Sequence, residues 1–164
     1  MASRFLFGLA AIAGVLLMVG CAGCVGTRPP SRAPDKERVM SVTAYCNCGQ
    51  CCGWKRNWRG RPIETATGRP KRIGLTASGA MARHGTVAAP RDIPFGTIVY
   101  VEGYGYGRVE DRGGAIKGDK LDLWFRSHRA ALQWGRKNIR VKMWLPDSEG
   151  AAKTSPPPAR RRRR

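Results

Sequence analysis

Two stretches of this chain hold side chains whose types and spacing suit chemistry. The first reads Asp111-Arg-Gly-Gly-Ala-Ile-Lys-Gly-Asp-Lys-Leu-Asp122. Two carboxylates flank a glycine-rich loop, each at the end of a segment with strand character. A strand–tight turn–strand unit would bring Asp111 and Asp122 onto neighbouring strands. Two close carboxylates repel, so one of them holds its proton to higher pH. A carboxyl raised in this way is the working part of a general acid near neutral pH. Gly113 and Gly114 let backbone donors come close to a ligand, and Lys117 adds a mobile cation. On residue types alone, an Asp beside Gly-Gly is also an ordinary turn residue.

The second stretch, Cys46-x-Cys48-x-x-Cys51-Cys52, puts four thiols into seven residues. For a domain outside the cytoplasm, disulfides are the default reading. Four cysteines allow three pairings, and spacing does not choose among them. Tetrahedral zinc is the lesser reading. The spacing is unlike a two-knuckle zinc ribbon, and the adjacent Cys51 and Cys52 make ligation awkward. A redox role is the third. No metal or other cofactor is assigned on this basis. A nucleophilic cysteine is disfavoured, because His84 and His128 are the sole histidines to serve it as a base. His84 reads as a turn residue, and His128, in the first turn of a helix, reads as a surface side chain.

Charge and the two ends set the context. The chain has 164 residues, 30 Lys and Arg against 11 Asp and Glu, and a formal net charge of +19. Residues 1–26 join one Arg to an apolar run and then to small residues and Cys, the pattern of a secretory signal. Met18-Val19-Gly20-Cys21 resembles a bacterial lipobox, which makes Cys21 the expected lipidation site. A plain cleaved signal and an uncleaved anchor are the alternatives, although the run is short of the roughly 20 apolar residues of a spanning helix. Residues 27–37 are rich in Pro and charge, the composition of an extended tether. Residues 146–164 end in five arginines and lack the apolar residues to build a core, so a disordered tail is expected. Residues 38–145 remain as one domain with 20 Lys and Arg against 7 Asp and Glu. Such a domain belongs near polyanions. The expected place is the cell envelope, on a membrane-anchored lipoprotein, with anionic envelope polymer or lipid favoured over nucleic acid.

The elements that must position these residues are short strands. Residues 38–46 alternate Val39, Ser41, Thr43 and Tyr45 against Met40, Val42 and Ala44. Residues 97–103, 107–111, 119–125 and 138–145 also read as strands rich in β-formers. Ser127 is a good N-cap for a helix over 128–134, which Gly135 stops. Many short strands, many glycines and little helix predict a mainly β fold, a small barrel. Gly103-Tyr-Gly-Tyr-Gly107 precedes no helix and reads as turn, not as a dinucleotide fingerprint.

These residues carry a family resemblance. Residues 109–125, VEDRGGAIKGDKLDLWF, closely resemble the signature of the three-aspartate (3D) domain family. The likeness continues through residues 127–135 and the last strand. Upstream it takes in residues 43–53, 75–79, 85–88 and 93–97, in order, and so spans about residues 40–142. The resemblance implies a six-stranded double-psi β-barrel with one short helix, related to the catalytic domain of membrane-bound lytic transglycosylase A. It implies cleavage of the MurNAc-β-1,4-GlcNAc bond of peptidoglycan, leaving 1,6-anhydromuramyl ends. The family's last aspartate falls on Asp122, the acid, and the middle one on Asp111, which raises or orients it. Thr43, Tyr45, Thr76, Ser78, Gly114 and Lys117 match positions near the family's cleft and are the implied substrate contacts. One position departs. The family's first aspartate lies in a segment like Val-Ala-x-Asp-Pro, whereas this chain reads Val87-Ala-Ala-Pro90, with Ala89 or Pro90 at that place and Asp92 nearby.

Residues 54–73 form an insert with two Trp and seven Lys and Arg. It reads as a solvated loop or as a grip over the cleft, since Trp faces stack on sugars and cations hold anionic polymers. Three functions follow from these observations. The first is a peptidoglycan-cutting enzyme. The second is a silent barrel that binds peptidoglycan, which the missing aspartate favours. The third is an envelope polyanion-binding protein, whose binding would fall steeply with salt.

Overall fold

The computed structural model describes residues 27–147. The elements in chain order are β1 (Lys36–Tyr45), α1 (Gly49–Cys52), β2 (Trp54–Arg56), β3 (Pro62–Glu64), β4 (Thr86–Ala88), β5 (Ile98–Val101), β6 (Gly105–Asp111), β7 (Lys120–Trp124), α2 (His128–Trp134) and β8 (Lys137–Trp144). Six of the strands close a barrel in the order β1-β7-β4-β6-β5-β8. β1 and β7 run parallel, as do β4 and β6, while the other barrel pairs are antiparallel. This mixed, closed pattern is consistent with a double-psi barrel. Closure leaves the barrel without an edge strand to pair with another chain. Among the described residues, no helix is long and apolar enough to cross a membrane.

Period-two patterning builds the core. Met40 and Val42 of β1 face inward, Leu121 and Leu123 of β7 meet them, and Val87, Val99, Val101, Val109, Val141 and Met143 complete the filling. Each of these side chains is at most 2% exposed, and burying each stabilises the fold by roughly 1.5–3 kcal/mol. The same alternation turns Thr43 and Asp122 away from the core. Gly107 is required by close approach: a Cβ there would meet Val87 Cγ2 at 2.5 Å and the Gly85 carbonyl at 3.0 Å. Helix α2 starts where Ser127 Oγ accepts the Ala130 amide and stops at Gly135, whose φ of 67° is left-handed. Its Trp134 packs edge-on against Tyr104 and beside Phe125.

Three details differ from expectation. The barrel has the six strands expected, and a second short helix, α1, and a two-stranded β2–β3 sheet lie outside it. The tether is tied down in its second half. Trp144 Nε1 donates to the Arg32 carbonyl at 2.8 Å, Asp35 N donates to the Met143 carbonyl at 2.9 Å, and β1 begins at Lys36. Tyr104 reads as a spacer between strands, yet its hydroxyl accepts from Gly85 N and donates to the Trp124 carbonyl, joining three barrel segments. The signal segment with Cys21, and the tail beyond Asp147, lie outside the described residues.

Candidate functional site

The cleft is organised by β4, a strand of three residues. It separates the two strands that bear the carboxylates, so Asp111 and Asp122 are not on neighbouring strands as the tight-turn reading expected. Ala88 pairs with Asp122 across β7 and with Asp111 across β6. The second pairing depends on a β-bulge. Val87 pairs with Val109, and the register then shifts so that Ala88 meets Asp111. Without that shift Ala88 would meet Glu110. The bulge therefore aims Asp111, not Glu110, into the cleft. On the far side of β7, Thr43 pairs with Asp122. Thr43, Asp122, Ala88 and Asp111 thus form one row across four strands.

Hydrogen bonds define two different carboxylates. Asp111 is held from three sides. Tyr45 OH donates to Oδ2 at 2.9 Å, and the amides of Ala77 and Arg112 donate to Oδ1 at 2.9 and 2.8 Å. Asp122 receives the Thr43 hydroxyl at 2.8 Å on Oδ1. Burial pushes the Asp122 carboxyl up, the Thr43 hydrogen bond opposes this, and the charge of Asp111 adds to the rise; the result is a pKa of about 6. Burial, then the Asp111 charge, pushes the Tyr45 phenol well above its ordinary range, so it remains a donor.

A cleft of about 440 Å³ opens over this row. Tyr45, Thr76, Gly114, Asp111 and Asp122 line it, as does Cys51. The insert supplies one wall through Trp54, Lys71 and Arg72, which favours the grip reading for that part of it. Trp54 is fixed because Nε1 donates to the Asn47 carbonyl at 2.9 Å, and the Asn47 side chain accepts from Trp124 Nε1 at 2.8 Å. Trp58 lies at the loop tip, 85% exposed, with Arg59 over its ring.

The other expected contacts divide. Ser78 sits behind the rim. Its hydroxyl meets that of Thr76 at 3.1 Å and its amide donates to the Glu110 carbonyl. Lys117 lines a second cavity of about 680 Å³, with Ala89, Pro90, Asp92 and Gly114. Ala89 itself is fully buried, and its carbonyl accepts from Arg112 Nη1 at 3.0 Å. Asp92 pairs with Arg38 at 3.3 Å, so it does not reach the row to replace a missing aspartate. The residue types of Ala88, Asn47 and Ala77 do not mark them as site residues. Their roles arise from contacts distant along the chain.

Residues 85–145 match the family model of the 3D domain. The chain carries a 3D domain. The matched span of the 3D domain holds β4 through β8 and so both Asp111 and Asp122. Thr43 and Tyr45 of β1 precede it. Over 115 residues the chain is 40% identical to YabE of Bacillus subtilis (strain 168), a protein named for cell wall shaping; the alignment takes in 69% of this chain and 24% of that protein. Over 54 residues it is 50% identical to YocH of the same organism, named as a cell wall-binding protein, covering 33% of this chain and 19% of that protein. The chain spans about a quarter or less of the length of the curated relatives it matches.

The cysteines depart furthest from expectation. Cys46, Cys48, Cys51 and Cys52 are unbridged, where the default reading paired them. His128 is not a free surface residue. Its Nδ1 lies 3.5 Å from Cys48 Sγ and 3.3 Å from Cys51 Sγ. His84 does sit exposed in a turn, stacked on Tyr104.

Proposed function

We propose that this 3D domain acts on the glycan strands of peptidoglycan in the cell envelope, as a lytic transglycosylase with Asp122 as the acid. One observation carries the reading: Asp122 stands half-buried in the cleft wall, across Ala88 from Asp111, where burial and that neighbouring charge raise its carboxyl pKa to about 6. At pH 7 about a tenth of such carboxyls are protonated, against about a thousandth for an ordinary aspartate. The names of YabE and YocH support a cell-wall role. The N-terminal segment, with lipid at Cys21, would hold the domain at a membrane.

The chemistry needs one acid. Protonated Asp122 gives its proton to the glycosidic oxygen as the C1–O bond breaks and positive charge develops at C1. The resulting carboxylate then takes the proton of the muramyl 6-hydroxyl as that oxygen bonds to C1. Asp122 ends protonated, no water is consumed, and the product is a 1,6-anhydro end. The nucleophile belongs to the substrate, so its effective concentration is high. This is why the second carboxylate of a hydrolase is not required. Asp111, fixed by Tyr45, Ala77 and Arg112, supplies the negative charge that helps keep the acid protonated and steadies the cation.

The test is a digest of purified peptidoglycan by the full chain, wild type and Asp122→Asn, with products read by mass spectrometry. Anhydromuramyl ends from wild type alone are expected. Reducing ends would mean hydrolysis. A second reading, a binding module without catalysis, is favoured by Ala89 or Pro90 at the first aspartate's place. It predicts no cleavage, with sedimentation on peptidoglycan retained by both proteins.

A further inference from the structure

Three cysteines and one histidine converge where the cleft chemistry has no use for them. Cys46 follows directly on β1, Cys48 caps α1, Cys51 lies within α1, and His128 opens α2. Cys46 Sγ lies 3.8 Å from Cys51 Sγ, and His128 Nδ1 lies 3.3 Å and 3.5 Å from the sulfurs of Cys51 and Cys48. All four atoms lie within 4.8 Å of one another. A tetrahedral zinc, with Zn–S about 2.3 Å and Zn–N about 2.0 Å, requires edges of about 3.8 Å between sulfurs and about 3.5 Å between sulfur and nitrogen. The three edges agree with that figure to a few tenths of an ångström.

We infer that Cys46, Cys48, Cys51 and His128 form a structural Zn²⁺ site that fastens α1 to the start of α2. Cys48-x-x-Cys51 has the spacing of a zinc knuckle, and the Cys51 amide donates to Cys48 Sγ at 3.4 Å. Cys52 is the odd thiol. Its Sγ donates to the Cys46 carbonyl at 3.1 Å and turns away from the cluster. A disulfide would use two of the sulfurs and give the histidine ring no reason to face a pair of them. Loading releases the three thiol protons to solvent and leaves a neutral imidazole bound through Nδ1. All four coordination positions are protein atoms, so no open position remains for substrate or water, and the role is structural. The site stands beside the cleft. Cys46 follows Tyr45, whose phenol holds Asp111, and Cys51 lines the cleft wall.

The experiment measures metal in the full chain purified without chelator, and follows Co²⁺ titration by its thiolate charge-transfer absorption. Wild type and Cys52→Ser should each bind one ion per chain with the spectrum of three-thiolate, tetrahedral coordination. Cys51→Ser and His128→Gln should bind at least about tenfold more weakly. Chelation should lower the melting temperature of wild type, and zinc but not magnesium should restore it. Should the two weakened variants misfold, the wild-type cobalt spectrum still decides the ligand set. Three results would overturn the site: no uptake by protein whose thiols titrate as free, a disulfide among Cys46, Cys48 and Cys51 in the folded protein, or a Cys52→Ser defect equal to that of Cys51→Ser. None of these readouts depends on peptidoglycan cleavage.

Discussion

The two ends of β4 hold carboxylates in opposite ways. At the Thr86 end, Glu110 is 6% exposed and fully engaged: Arg83 pairs with it at 3.0 Å and the Thr86 hydroxyl donates at 3.0 Å. At the Ala88 end, Asp111 and Asp122 flank one small side chain, and neither has a salt-bridge partner among the described residues. Glu110 is the more deeply buried, but its charge is matched. Asp122 is less buried, but the charge it faces is of its own sign. Burial alone therefore does not mark a functional carboxylate. An unmatched charge beside an open cleft does, because its cost to the fold is retained only where another use exists.

The largest effects should come from exchanging each carboxylate for its amide. Asp122→Asn keeps the shape and removes the proton donor, so cleavage should fall by about 10²–10⁴-fold. Its stability should move the other way. The folded-state pKa of about 6 lies above the unfolded value of about 3.9. The native state thus binds the proton more tightly, and stability is lost as pH rises from about 4 through 6. The full shift is worth about 3 kcal/mol; screening by the open cleft reduces this to about 1–2 kcal/mol. Urea unfolding at pH 7 should find Asp122→Asn more stable than wild type, with the gap closing by pH 4. Glu110→Gln should lose about 1–3 kcal/mol, because it leaves Arg83 and Thr86 without their charged partner, and should leave the product pattern unchanged. If both amides destabilise equally, the contrast between the two ends of β4 fails.

Much of this arrangement is legible in the sequence, and the limits have physical causes. Alternation reveals β1 and β7 because Met40, Val42, Leu121 and Leu123 each fill a core position. Ser127 and Gly135 mark both ends of α2. β4 is only three residues long and buried throughout, so it has no alternation to read. Its presence between β6 and β7 is what separates Asp111 from Asp122. The bulge leaves no mark in residue types. The Tyr45–Asp111 contact spans 66 residues, and Cys51 and His128 stand 77 apart. Local spacing carries no information about either pair. His128 reads as a surface residue because its helix position is visible and its sulfur partners are not.

The smallest effect tests the row itself. Thr43 is the group that opposes the rise of Asp122, donating at 2.8 Å to a carboxylate that burial and Asp111 otherwise disfavour. Thr43→Val keeps the β-branched shape on β1 and removes the donor. A hydrogen bond to a partly solvated carboxylate contributes on the order of 1 kcal/mol, or somewhat under one pH unit. The acid should therefore hold its proton to higher pH, and the descending limb of the cleavage profile should shift alkaline by about that amount. At neutral pH more molecules would carry the proton, and each would be a slightly weaker acid. Activity there should change by less than about threefold while the limb moves. A profile that keeps its limb but falls uniformly would mean that Thr43 binds sugar and does not tune Asp122. A limb that moves with KM unchanged would identify Thr43 as a positioning residue acting through the carboxyl, the role its register opposite Asp122 gives it.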